Sequence, residues 1–140
     1  MHMKISTKGR YALRIMIDLA TNQTDQPIRL KDIADRQKIS VKYLEQIIAT
    51  LTKAGYLLSV RGSSGGYQLK KKPKDYTVGM ILRTTEGSLA PVSCVEDSEN
   101  ACERREKCVT AIVWNKINEA VNAVVDGITL QDLVDYQQED

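Results

Sequence analysis

A helix-turn-helix pattern followed at once by a glycine-rich hairpin is the sequence feature that most constrains the fold. Apolar residues recur at helical spacing over 30–37 and 41–54, and residues 38–40 leave room only for a tight turn. Ser40 is a favourable N-cap for the second helix, and Gly55 can end it in the left-handed conformation. A predicted strand at 56–60 and a second at 67–69 then enclose a loop at 61–66. This order predicts a winged helix-turn-helix.

Further helices are predicted on both sides of this unit. The first helix begins after its N-cap, Ser6. A second is capped by Thr77 and ends at Gly87, and a third runs from about Cys108 to Asp126. A capping-box pair of Thr129 and Asp132 begins the last helix. The chain is therefore expected to be mainly α, with a single small β-hairpin.

The net charge of +2 conceals an asymmetry between the two halves of the chain. Residues 1–75 hold 15 Lys and Arg against 6 Asp and Glu, a balance of +9. Residues 76–140 hold 5 against 12, a balance of −7. The basic half indicates a polyanionic partner such as double-stranded DNA, and the alternative is a basic face that is merely solvated.

The second helix of the pattern has the polar side chains of a recognition helix, whose first turns contact base edges in the major groove. Lys42 can reach guanine or a phosphate, Gln46 can pair with adenine, and Glu45 can accept from cytosine. The candidate contact residues are Ser40, Lys42, Tyr43, Glu45 and Gln46. The predicted buried side consists of Val41, Leu44, Ile47, Ile48 and Leu51. The alternative is that the polar side is only solvated.

The wing loop is the second candidate DNA-binding element. Arg61 can enter a narrow minor groove, and glycines let the backbone approach sugar and phosphate. The candidate wing residues are Arg61, Gly62, Ser63, Ser64, Gly65 and Gly66. Expected phosphate contacts come from Lys8, Arg10, Lys70, Lys71 and Lys72. Arg10 and Arg14 could instead form structural ion pairs.

One continuous apolar stripe follows the long predicted helix. Its members step by three, one or four residues: Val109, Ile112, Val113, Ile117, Ala120, Val121, Val124 and Val125. The stripe could cover the helix's own domain, or it could be a dimer seam with a twin helix. Helix-turn-helix modules usually bind DNA as dimers, which favours the seam. We therefore expect a DNA-binding domain over 4–75, and a cysteine loop with a dimerisation helix over 76–136.

Three cysteines, Cys94, Cys102 and Cys108, lie within fifteen residues of each other in a charged segment and nowhere else in the chain. An odd number in a chain without a secretory signal does not suggest a disulfide framework. Clustered thiolates favour a soft metal, either an iron–sulfur cluster or zinc. The only histidine is His2, so histidine-based catalysis and histidine-rich metal sites are not expected.

Several motifs together resemble the Rrf-type winged-helix regulators, and the similarity extends over about residues 3–136. They are the three-cysteine loop followed by a long helix, with KISTKGRYAL, ISVKYLEQII and SVRGSSGGYQL. That family includes IscR-like, NsrR-like and CymR-like regulators, and the chain looks most similar to the IscR-like iron–sulfur cluster regulators. The combination of motifs is much more specific than a helix-turn-helix pattern alone.

The resemblance implies a homodimeric repressor or activator whose long helices cross at the dimer interface. It implies that Cys94, Cys102 and Cys108 hold a 2Fe–2S or 4Fe–4S cluster, and that cluster occupancy changes which promoters are bound. It also implies that DNA is contacted by Ser40, Lys42, Tyr43, Glu45, Gln46 and Arg61.

Two departures from the family pattern leave the fourth cluster ligand open. IscR-like proteins have five residues between the first two cysteines, whereas this chain has seven. Their ligating histidine corresponds to Ala111, and the acidic ligand of NsrR-like proteins corresponds to Arg10. Nearby candidates are Glu96, Asp97, Glu99, Glu103, Glu106 and Asn115. Water, a small thiol or a partner-chain residue is an equal alternative.

These observations predict a cytoplasmic transcriptional regulator with no membrane segment and no enzymatic activity. Its operator binding would depend on an iron–sulfur cluster, and it would regulate cluster assembly or cysteine metabolism. One alternative is direct thiol or zinc sensing without a cluster. Another is CymR-like regulation through a partner enzyme.

Overall fold

A computed structural model describes residues 4–92 and 109–139 of the chain. Within these ranges it has six α-helices and one antiparallel hairpin: α1 Thr7–Thr21, α2 Leu30–Gln37, α3 Val41–Lys53, β1 Leu57–Val60, β2 Gly66–Leu69, α4 Val78–Glu86, α5 Thr110–Gly127 and α6 Leu130–Gln138. A short 3-10 turn, Pro73–Asp75, links β2 to α4. The expected winged helix-turn-helix, mainly α with a small β-hairpin wing, is confirmed.

The helix ends follow local chemistry that the sequence predicts. The hydroxyls of Ser6, Ser40 and Thr77 each accept a hydrogen bond from the backbone N–H three residues on, at 3.1, 3.2 and 3.1 Å. Thr129 and Asp132 form the expected capping box, because each side chain accepts from the other's backbone N–H, at 3.0 and 2.9 Å. These caps fix where α1, α3, α4 and α6 begin.

One hydrophobic core joins the helix-turn-helix to the later helices. Ile15, Ile33 and Leu44 are fully buried in it and represent α1, α2 and α3. Ile81 of α4 and Leu130 of α6 are equally buried in the same cluster. α1 therefore packs against α4 and α6 as well as against its neighbours in the DNA-binding unit. The division of the chain at residue 75 stays a prediction.

The hairpin is anchored to the segment that precedes α2. β1 and β2 pair from Leu57 opposite Leu69 to Val60 opposite Gly66. Ile28 extends this sheet by a reciprocal pair of backbone hydrogen bonds with Tyr67, at 2.9 and 2.8 Å. β2 is therefore paired with β1 on one side and with the segment that precedes α2 on the other.

None of the helices described over 4–92 and 109–139 is long and apolar enough to cross a bilayer.

Candidate nucleic-acid interface

The first turns of α3 expose the predicted recognition residues while the opposite side is covered. Ser40, Lys42, Glu45 and Gln46 are exposed, and Tyr43 is half-buried. The core side chains Leu44, Ile47, Ile48 and Leu51 are at most 1% exposed. Because a recognition helix reads bases with its N-terminal side chains, these polar groups are available where direct readout needs them.

Val41 departs from the sequence-based expectation, which placed it on the buried side of the helix. It is 44% exposed. Val41 is the first residue of α3, and the first turn of a helix can extend past the neighbours that cover its apolar side. An apolar side chain in this turn is able to contact a thymine methyl group.

The wing loop is exposed over residues 61–64, and its glycines have reasons internal to the chain. A β-carbon on Gly65 would clash with the carbonyl oxygen of Val60, and one on Gly66 with that of Ile28. Gly62 has φ +104° with open space around it, a backbone conformation that favours glycine. The loop conformation thus requires glycine whether or not DNA is present.

Arg29 braces the wing, a role that the sequence reading missed. Its Nη2 donates to the carbonyl oxygen of Ser63 at the loop tip, at 3.0 Å. Arg29 directly precedes α2 in the sequence and lies beside Ile28, which pairs with Tyr67. The only sequence signal was a basic residue before a helix, and that does not identify a partner 34 residues away.

Tyr76 fastens the base of the wing. Its ring is fully buried, and its hydroxyl accepts from the backbone N–H groups of Lys70 and Lys71 at 3.1 and 3.0 Å. The same hydroxyl donates to the carbonyl oxygen of Tyr56 at 2.7 Å. Burial raises the pKa of Tyr76, because it disfavours the charged phenolate. The backbone of two predicted phosphate-binding lysines is thereby positioned by one side chain.

The basic residues of α1 are Lys8, Arg10 and Arg14, and the hydrogen bonds of Arg14 connect α1 to the end of α2. Lys8 is half-buried, and Arg10 is exposed and donates to the Thr7 hydroxyl at 3.0 Å. Arg14 instead donates to the backbone carbonyl of Gln37 at 2.7 Å and to its side-chain oxygen at 3.2 Å. Over the described ranges neither Arg10 nor Arg14 contacts a carboxylate, so the structural ion pairs considered for them do not form there.

The cysteine cluster falls outside the residues that the structure describes, and its predicted ligands therefore stay predictions. Three clustered thiols fit an iron–sulfur centre chemically, since cysteine thiolates are the usual ligands of such clusters. Among residues 4–92 and 109–139, His, Cys, Asp and Glu form no group of three or more that could hold a metal. Ala111, whose methyl side chain cannot ligate a metal, is buried at 5% exposure.

The apolar stripe of α5 lies largely on the surface of the single chain. Ile112, Val113 and Val124 are 57%, 49% and 59% exposed. On its other side α5 is tied to α4, where Arg83 forms a double hydrogen bond with the Asp126 carboxylate at 2.6 and 3.0 Å. The Arg83 guanidinium also lowers the pKa of Asp126. α5 is thus fixed to its own domain by one face and presents an uncovered apolar face to its surroundings.

Comparison with known proteins places this interface in context. Residues 5–136 match the model of the Rrf2 family, described as an iron-dependent transcriptional regulator. The HTH-type transcriptional regulator CymR of Bacillus subtilis is 46% identical, over 96% of this chain and 91% of its own length. The HTH-type transcriptional regulator IscR of Aliivibrio salmonicida is 38% identical, over 94% of this chain and 77% of its own.

The solved structures that superpose on this chain include the same two kinds of regulator, CymR and IscR. CymR, the global cysteine regulator of B. subtilis, superposes with a TM-score of 0.78 at 43% identity, covering 95% of this chain and 97% of its own. IscR of T. potens superposes with a TM-score of 0.76 at 41% identity, covering 97% and 89%. A match over nearly the whole chain, in both sequence and fold, leaves one conclusion. The chain belongs to the Rrf2 family and is a DNA-binding transcriptional regulator, not an enzyme.

Proposed function

We propose that the chain acts as a cytoplasmic homodimer that binds a double-stranded DNA operator through α3 and the wing. The observation that carries this proposal is the asymmetry of α3. Its first turns expose Ser40, Lys42, Glu45 and Gln46, whereas its opposite side is sealed in the core. A helix packed only for stability has no need of such a dense set of base-reading side chains at its N-terminus.

The contacts in the operator follow from side-chain chemistry. In the major groove Lys42 reads guanine acceptors, Gln46 reads adenine in two-point fashion and Glu45 accepts from cytosine. The exposed Val41 adds an apolar contact with a thymine methyl group. Arg61 on the wing enters the minor groove, where a narrow groove concentrates negative potential. Lys8 and the lysines after β2 bind phosphates, which set affinity and register.

The dimer forms through the apolar face of α5. A stripe of exposed valine and isoleucine side chains is costly to leave in water, and a twin helix would cover it. A groove of mixed polarity between α4 and α5 continues from the stripe, and its lining includes Leu82, Arg83, Asn122, Val121 and Val124. Two copies would present two recognition helices to the two halves of one operator.

Cys94, Cys102 and Cys108 are proposed to bind an iron–sulfur cluster that controls operator binding. When bound, the cluster would supply a centre whose presence and oxidation state vary with iron and oxidant supply. The support is the soft donor set, the family's description as iron-dependent, and the similarity to IscR. We expect cluster assembly or cysteine supply to be the regulated process.

A second candidate function is regulation without a cluster, by thiol or zinc sensing. The 46% identity to CymR favours it, since CymR is the global cysteine regulator of B. subtilis. Iron and acid-labile sulfide, measured per dimer after anaerobic reconstitution, separate the two. The cluster hypothesis expects both elements in the wild type and neither in Cys94→Ala, Cys102→Ala or Cys108→Ala. Stoichiometric zinc without sulfide in the wild type would establish the alternative.

The DNA-binding proposal is tested with matched lysine variants on one helix. Lys42 lies in the first turn of α3 and Lys53 is its last residue, and both are exposed. An operator is first selected from random duplexes with the wild-type protein. Lys42→Ala should weaken operator binding about tenfold or more, because a good base contact contributes roughly 1–3 kcal/mol. Lys53→Ala removes the same charge and should change affinity less than threefold. Equal losses from both variants would contradict the placement of α3 in the groove.

A further inference from the structure

Asp18 is the only charged residue buried within residues 4–92 and 109–139, with a side chain 0% exposed. It lies on α1 and is not among the residues predicted to contact DNA. A carboxylate is expensive to bury unless charge and hydrogen bonds compensate it. Its partners therefore show what the fold gains by keeping it there.

Both partners of Asp18 are the last residues of α2. The Arg36 guanidinium makes two parallel bonds, from Nε to Oδ2 at 3.0 Å and from Nη2 to Oδ1 at 2.8 Å. Gln37 Nε2 donates to Oδ2 at 2.8 Å. The next residue, Lys38, has φ +56°, and it begins the turn into the recognition helix. Asp18 thus fixes the end of α2 at the point where the chain turns toward α3.

A second contact from α1 holds the same point. Arg14 Nη2 donates to the backbone carbonyl of Gln37, one of the acceptors that a helix end leaves without an intrahelical partner. The Arg14 guanidinium also lies 5.0 Å from the centre of the Tyr11 ring. Tyr11 in turn makes an edge-to-face contact with Tyr43, with ring centres 5.7 Å apart. Tyr43 belongs to the first turns of α3.

We propose that Asp18 and Arg14 are positioning residues that set the orientation of the recognition helix on α1, and hence the sequence specificity of the protein. Neither residue contacts α3 directly. Both hold Gln37, which precedes the turn into α3, and Arg14 also lies over Tyr11, whose ring contacts Tyr43 of α3. Buried ion pairs add little stability over apolar residues of the same size, but their paired bonds fix geometry. This inference rests on the proposed reading of DNA by α3.

The competing role for Arg14 is a direct phosphate contact, and the two roles differ in measurable ways. Loss of a phosphate contact weakens binding to all sequences and reduces the salt dependence of binding by about one unit of slope. Loss of positioning weakens binding to the operator alone. Arg14→Gln removes the charge and Arg14→Lys keeps it, while Arg10→Gln removes a neighbouring exposed charge of α1 as a control.

The experiment measures the dissociation constants of the full-length variants for the selected operator and for a scrambled duplex over a range of salt. For Asp18→Asn, Arg14→Gln and Arg14→Lys we expect operator affinity to fall at least tenfold. Binding to the scrambled duplex should change less than twofold, with an unchanged salt slope. Arg10→Gln should not lower the ratio between the two duplexes. Should Asp18→Asn fail to fold, the two Arg14 variants carry the test, because that side chain is exposed.

Two results would overturn the inference. One is an equal loss on both duplexes; the other is recovery of operator affinity in Arg14→Lys together with a smaller slope in Arg14→Gln. The proposed function is checked separately by the Lys42→Ala and Lys53→Ala pair. If that pair behaves as expected while the Asp18 and Arg14 variants keep full specificity, only the positioning role fails.

Discussion

Replacing Tyr76 with Phe tests whether one hydroxyl holds the base of the wing. The substitution keeps the buried ring and its edge-to-face contact with Tyr56, whose centre is 5.8 Å away. It removes only the oxygen that bonds to three backbone groups, those of Tyr56, Lys70 and Lys71. The change is therefore confined to hydrogen bonding, without a cavity of side-chain size.

The expected magnitude follows from what the three backbone groups can do afterwards. The Lys70 N–H already lies 3.4 Å from the Tyr56 carbonyl oxygen, so these two groups can satisfy each other, though at a long distance. The Lys71 N–H loses its partner, and a stranded donor costs about 1–3 kcal/mol. We therefore expect the free energy of unfolding to fall by about 2 kcal/mol, roughly a thirtyfold change in the folded-to-unfolded ratio.

Urea denaturation followed by circular dichroism measures this loss, with Tyr56→Phe as the matched control. The Tyr56 hydroxyl makes one long bond, 3.4 Å to the Met80 carbonyl, so its removal should cost less than about 1 kcal/mol. Equal losses from the two variants, or a loss below about 0.5 kcal/mol for Tyr76→Phe, would refute the idea that the Tyr76 hydroxyl holds the base of the wing.

The stabilising role of the Tyr76 hydroxyl can also be tested by its dependence on alkaline pH. The pKa of Tyr76 is raised in the folded chain, so its protonated form is favoured there. Its contribution to stability is complete below the pKa of an unfolded tyrosine, about 10, and is lost as pH rises through the folded value. The stability gap between wild type and Tyr76→Phe should therefore narrow above pH about 10. A gap that stays constant or widens would contradict this sign.

Three further predictions concern the dimer, the operator and the α4–α5 ion pair. Val124→Asp should yield a folded monomer in sedimentation, because an exposed residue of the stripe tolerates charge in the single chain, whereas Glu119→Lys on another side of α5 should stay dimeric. Replacing thymine by uracil should weaken wild-type binding at one operator position, and Val41→Ala should abolish that difference. Asp126→Asn should cost less than about 1 kcal/mol in urea at pH 7, because its pair with Arg83 is exposed to solvent. The Asp126 pKa is lowered, so even that cost should vanish as pH falls through the folded value.

Features governed by neighbours in sequence were predictable. Ser6, Ser40, Thr77 and Thr129 each cap a helix as expected, because a cap needs only a hydroxyl and an N–H three residues on. The wing was predicted for the same reason, from two short β-forming runs around a glycine-rich loop. The exposed polar side of α3 followed from helical periodicity alone.

Features that depend on residues distant in sequence were not predictable. Asp18 reads as an ordinary surface aspartate until α2 brings Arg36 and Gln37 against it, 18 and 19 residues later. The exposure of Val41 depends on how far the neighbouring helices extend along α3, which periodicity does not encode. Dimerisation through α5 is equally hard to predict, because it depends on contacts with a second copy of the chain.

In the proposed operator complex, the wing would meet the duplex with its loop already fixed by contacts within the chain. Ile28 pairs with Tyr67 on one side of the hairpin, and Arg29 binds the carbonyl of Ser63 at its tip. Ordering a free loop on association would cost about 1–2 kcal/mol for each residue fixed. A braced loop avoids most of that entropy loss, so in the proposed complex the affinity for the minor groove would depend mainly on the contacts themselves. The heat capacity change of association should accordingly scale with the surface that protein and DNA bury, without the larger contribution that coupled folding adds.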